Sequence, residues 1–188
     1  MAASVVAAGC SDVLNVIAGT GRSQLAILLQ QPGARMPAAV EFFVSNGRTT
    51  TRTLSHPDGF NTQFLQVRFP PGSIASLNGR TAGSNDSVLV SVQPETGLYG
   101  FTLGASGVAF ATSAAPTVTF YYGRYGDFMG SLAGSRYTSA TTYAQALNVW
   151  HEEVTDRFSV APGSGSAGTD AVAGSVTGAG SYLVAAPK

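Results

Sequence analysis

The chain holds a single cysteine in 188 residues, Cys10. That excludes an internal disulfide, and it excludes a cysteine-based zinc site, which needs several ligands. There are two histidines and one lysine, and the ten acidic residues balance the ten basic ones. A chain without net charge lacks the basic footprint of a nucleic-acid binder and the polybasic patch of a membrane-surface protein. Charged residues make up 11%, well under the roughly 25% of average soluble proteins. Helices supported by charge pairs therefore have little to draw on. No run approaches the ~20 apolar residues of a membrane-spanning helix.

Catalytic patterns are missing too. There is no G-x-S-x-G and no H-E-x-x-H, and "GTGR" (19–22) lacks the Lys-Ser/Thr of a phosphate-binding loop. His151, Glu153 and Asp156 of "HEEVTD" have no metal-site spacing and read as a solvated turn. Glu152 and Glu153 point to opposite faces of an extended chain, a poor arrangement for an acid/base pair. No catalytic residue, metal or cofactor is expected, and the chain is read as a non-enzyme.

What remains is a sequence rich in strand and turn formers. "TQFLQVRFPPGSI" (62–74) alternates Leu65, Val67 and Phe69 against Phe64, Gln66 and Arg68, then stops at Pro70-Pro71-Gly72. "SVLVSVQP" (87–94), "LYGFTL" (98–103) and "GVAFA" (107–111) follow at short spacing. "PTVTFYYG" (116–123) sets Val118, Phe120 and Tyr122 on one face. "ALNVWHEEVTDRFSV" (146–160) and "AVAGSVTGAGSYLVAAP" (171–187) supply the last strands, with Trp150 expected between sheets beside Phe120 and Tyr182. In "AVEFFVSNGRTTTRTLS" (39–55), Asn46-Gly47 suits a type I′ turn, so a hairpin is expected. Many short strands with Gly/Pro turns indicate an all-β fold, an antiparallel β-sandwich of immunoglobulin-like type. Three segments are expected: a truncated signal-like stretch (1–9), N-terminal strands packed on or extending the sandwich (10–61), and the sandwich core (62–188).

Two resemblances sharpen this. Ala7, Ala8 and Gly9 precede Cys10, and this resembles the lipobox of bacterial lipoproteins. The resemblance implies a lipid on Cys10. A full signal also needs a charged start and an apolar stretch of about 7–15 residues, which places its beginning upstream of Met1. With Met1 as the true start, a cytoplasmic location follows instead. Further along, Pro71, Gly72, Ser73 and Ile74 form a strand break, and Gly107, Phe110, Pro116 and Val118 follow in order. Trp150 and Tyr182 come later. This order resembles the ZU-five domain of zonula-occludens proteins, netrin receptors and ankyrins, over about residues 62–186. Some members of that family cleave themselves at a His-Phe-Ser step. The matching stretch, "GAGSYLV", has Ser181 but no adjacent histidine, so self-cleavage does not carry over.

One stretch concentrates possible binding groups. "YYGRYGDFMGSLAGSRYTSATTY" (121–143) gathers Tyr121, Arg124, Tyr125, Phe128, Arg136 and Tyr137 among glycines and serines. Tyrosine and arginine are common interface anchors. The expectation is a bacterial cell-envelope module, held at the membrane only through its lipid, that binds a protein or glycan at the cell surface. Homo-oligomerisation is possible, as a self-assembling subunit of a surface layer or fibre. A small hydrolase or carbohydrate-active enzyme is the lesser alternative.

Overall fold

A computed structural model describes residues 19–188. Cys10 and the signal-like segment lie outside the described residues. In chain order the strands are β1 (Leu25–Ile27), β2 (Leu29–Gln30), β3 (Val40–Ser45), β4 (Thr50–Ser55), β5 (Gln63–Phe69), β6 (Ile74–Leu77) and β7 (Arg80–Thr81). Then come β8 (Ser87–Pro94), β9 (Gly100–Gly104), β10 (Val108–Phe110), β11 (Thr117–Tyr121) and β12 (Gly126–Asp127). Two short helices follow, α1 (Phe128–Leu132) and α2 (Ala140–Ala146). The chain ends with β13 (Asn148–Val154), β14 (Arg157–Val160), β15 (Gly165–Ser166), β16 (Ala171–Ser175) and β17 (Gly180–Pro187).

The protein is an all-β fold of antiparallel sheets. The larger sheet has the order β14-β13-β17-β9-β8-β3, with β1 pairing onto β17. The smaller of the two main sheets has the order β15-β16-β11-β5-β4, and β10-β6-β7 and β12-β2 form two minor sheets. The inner faces of the two main sheets meet through aromatic rings. Phe101 lies 5.8 Å from Phe120, and Phe42 lies 6.1 Å from Phe69. The alternating positions Leu65, Val67, Phe69, Val118, Phe120 and Tyr122 are all buried, as their period-two spacing predicts. No helix among the described residues is long and apolar enough to cross a membrane.

The expected hairpin at 39–55 does not form. β3 pairs with β8 in the larger sheet, and β4 pairs with β5 in the smaller. Asn46-Gly47 therefore crosses between sheets. Asn46 is buried, and its amide is used on both sides: Nδ2 donates to the Gly83 carbonyl and Oδ1 accepts from the Ile74 amide. Gly47 is required for space rather than for a left-handed φ, since a Cβ there would stand 2.5 Å from the Ser84 carbonyl oxygen. β3 and β4 thus form one edge of each of the two main sheets.

Trp150 is buried, but not between the sheets. β13 pairs Trp150 with Leu183 and His151 with Tyr182, so Trp150 faces outward while His151 faces inward. On the outer face Trp150 packs with Leu25, Phe158, Leu183 and Ala185 in a second apolar cluster. Its indole Nε1 donates to the Ala185 carbonyl at 2.9 Å. The N-terminal stretch covers this cluster. Thr20 exchanges two backbone hydrogen bonds with Phe158 at the free edge of β14. The chain then crosses the outer face, where the Arg22 amide bonds Asp156 and its guanidinium meets Glu95 at 3.5 Å. It pairs with β17 from Leu25 onward.

Candidate functional site

Two of the six sequence candidates, Arg124 and Tyr125, come together at one end of the sandwich. This is the end where β5 begins and β11 finishes. Two short connections form it, residues 56–62 and 122–127.

The first connection is closed by its own backbone and one carboxylate. The His56 amide donates to the Thr62 carbonyl at 2.8 Å. Asp58 Oδ1 accepts from the amides of Phe60 and Thr62 at 2.9 and 3.3 Å. Gly59 and Asn61 take left-handed φ values of 79° and 54°, which suits these two residue types. The result holds Phe60 outward, 74% exposed. The Thr62 hydroxyl, the two amides and the Tyr125 hydroxyl hold the Asp58 carboxyl well below the usual carboxylate range.

The second connection is a tight turn in which the Gly126 amide bonds the Tyr122 carbonyl at 2.7 Å. A side chain at Gly126 would stand 2.8 Å from that carbonyl oxygen. The turn lays Tyr125 against the His56 ring at 4.5 Å, and the Tyr125 hydroxyl donates to Asp58 Oδ2 at 3.0 Å. Burial, and then that bond to an anion, push the Tyr125 hydroxyl upward, so it remains a donor. Arg124 lies over the Phe60 ring, 4.5 Å from its centroid, with Nε 3.9 Å from Asp58 Oδ2. An arginine stacked on a ring and held by a carboxylate is preordered, and its outer N–H groups stay available.

Below this patch sits His56, only 1% exposed. Its Nδ1 donates to the Arg35 carbonyl at 2.8 Å, because a carbonyl can only accept. Beside the patch, Tyr122, Thr141, Gln145, Ser166 and Asp170 line a shallow hollow of about 400 Å³.

The other sequence candidates go elsewhere. Phe128 is half-buried, edge-on to Tyr122 and Tyr143 at 5.6 and 6.2 Å. Tyr137 packs on Tyr143 at 5.5 Å, and Arg136 lies over Tyr137 at 5.3 Å. Tyr121 ends β11, half-buried, on the face turned away from the core. Only Arg124 and Tyr125 of the six share the patch; Asp58 and Phe60, from "HPDGFN" (56–61), were not among the candidates. The available signal was a phenylalanine inside a polar turn, where no core alternation requires one.

Among the described residues no group of three metal-ligating side chains forms. His151 stacks on Tyr182 at 4.4 Å, with Nδ1 at 3.1 Å from the Thr177 hydroxyl and Nε2 at 3.3 Å from the Ala179 carbonyl. Neither ring is hydrogen-bonded to a carboxylate, as the histidine of a Ser-His-Asp device would be. Comparison of the chain with protein families, with characterised proteins and with solved structures returns no match.

Proposed function

We propose that this chain is a non-catalytic binding module of a bacterial cell envelope. A lipid on Cys10 tethers it, and the Arg124–Phe60–Tyr125–Asp58 patch meets a protein or glycan partner. The observation that carries this reading is the relation of the two ends. The chain enters the sandwich at Gly19, against Arg157 at the start of β14. Registers along β13, β17 and β9 put that entry toward the end of β9, whereas Tyr99, just before β9, packs on Phe64 and Tyr122 at the patch end. Nine residue steps separate Cys10 from Gly19, an extended reach of at most about 30 Å. A tether there leaves the patch pointing away from the membrane.

Composition and motifs support the same reading. A charge-poor β-sandwich suits an exported protein, and Ala-Ala-Gly-Cys suits acylation.

The test uses the native gene product in detergent phase separation. It should enter the detergent phase, and Cys10→Ser should return it to the aqueous phase. Two or three acyl chains are needed for stable anchoring, since one binds only marginally. An unmodified thiol on a product that retains residues 1–9 would refute the tether.

A further inference from the structure

We propose that Arg52 keeps the open side of the sandwich from pairing with a second copy of the chain. One side is closed by the chain itself. There the Ala161 amide bonds the Val149 carbonyl, and the Val149 amide bonds the Ser164 hydroxyl. The other side ends in β3 on the larger sheet and β4 on the smaller, and neither has a second strand partner among the described residues. Free strand edges are templates for pairing. These two look receptive. β4 is threonine-rich, and beside the β3 edge Phe43 and Leu89 sit opposite each other on the outer face, 71% and 49% exposed.

Arg52 is the exception on this side. In register it stands opposite Val67, as Leu54 stands opposite Leu65. It therefore points inward, while Thr51 and Thr53 point out. Its guanidinium lies 5.4 Å from the ring centroid of Phe42 on β3. One charged side chain thus spans the gap between the sheets at the mouth of the core, with Arg52 still exposed to water. No acidic group among the described residues reaches it within ion-pair distance. Glu41, the acid on β3, shares a face with Phe43, away from Phe42.

A two-fold axis normal to the sheets would join β3 to its copy and β4 to its copy, both antiparallel. That arrangement places both Arg52 guanidiniums inside the merged core without a counter-charge, which is strongly unfavourable. An inward-pointing charge on an edge strand is a known device against such pairing.

Arg52→Met keeps the apolar stem over Phe42 and removes the charge. Sedimentation over a wide concentration range should show association at least about a hundredfold tighter than wild type. Hydrogen exchange should show the new protection in β3 and β4. Arg52→Lys and Arg68→Met, the latter on the outward face of β5, should stay monomeric like the wild type. If the Met variant does not fold, Arg52→Gln gives the same reading. The proposal is overturned by a folded, uncharged variant that stays monomeric, by association that leaves β3 and β4 unprotected, or by a wild type that already pairs through these strands.

Discussion

Tyr125 and Tyr143 belong to the same glycine- and serine-rich stretch and end in opposite situations. Tyr143 is fully buried; its ring packs on Phe128 and Tyr137, and its hydroxyl donates to the Ala26 carbonyl at 3.0 Å. Burial pushes that hydroxyl's pKa upward. Tyr125 lies half-buried on His56 and spends its hydroxyl on Asp58, at the base of a group whose outer members are Phe60 and Arg124. Composition draws no line between them. The line is drawn by α2, which turns Tyr143 toward β1, and by the Tyr122–Gly126 turn, which stops short of the core. A cluster of tyrosines and arginines can thus be half foundation and half surface.

The largest effect that sharpens this contrast is on stability. Tyr143→Ala should cost roughly 3–5 kcal/mol in urea unfolding, through lost transfer energy and a cavity. Tyr143→Phe should cost about 1 kcal/mol, the worth of one hydrogen bond. A Tyr143→Ala protein as stable as wild type would erase the distinction. Next comes the patch. Changing Phe60, Arg124 and Tyr125 together to alanine should move the melting temperature by only a few degrees. It should weaken binding to isolated cell-envelope material by more than about 2 kcal/mol. A large loss of stability with unchanged binding would make the patch a second foundation.

The smallest effect is a pH slope at the other end of the sandwich. Burial lowers the His151 pKa from 6.5, with Glu152 and Glu153 opposing and Tyr182 stacked on the ring. The folded state therefore favours neutral His151. Its contribution is fully present above pH 6.5 and is lost as pH falls through the lowered folded value. Melting temperature should decline between about pH 7 and pH 5, and His151→Gln should flatten that decline. An identical slope in both proteins would remove His151 as its cause.

Much of the fold was legible because burial on one face writes an alternating pattern. β5 and β11 show this, with Leu65-Val67-Phe69 and Val118-Phe120-Tyr122 inside. Partners were less legible. Asn46-Gly47 has hairpin chemistry, yet its residues answer to Gly83, Ser84 and Ile74, far along the chain. Trp150 misled for a related reason. Val149, Trp150 and His151 are all buried, so β13 is covered on both faces and its sequence cannot say which face belongs to which cluster. Of the patch, Arg124 and Tyr125 were visible as residue types. Asp58 and Phe60 were not, because their roles depend on two connections meeting in space. The short helices were equally hidden. Each begins with a side-chain cap, Asp127 on the Gly130 amide and Ser139 on the Thr142 amide, but neither carries a long apolar stripe.

The covering of Trp150 has a mechanical consequence. Suppose the domain is held at its N-terminal side and its patch is pulled by a partner. The load then reaches Thr20 first, where only the two hydrogen bonds to Phe158 resist, at 2.8 and 2.9 Å. Beyond them lie the Arg22 contacts and then the three residue pairs of β1 with β17. These links lie in series, so they peel one after another instead of sharing the force. The stretch from Gly19 to Ile27 would pay out as slack while the two sheets remained packed. Each step would bare more of the indole, so tryptophan emission should shift to the red before the aromatic core gives way.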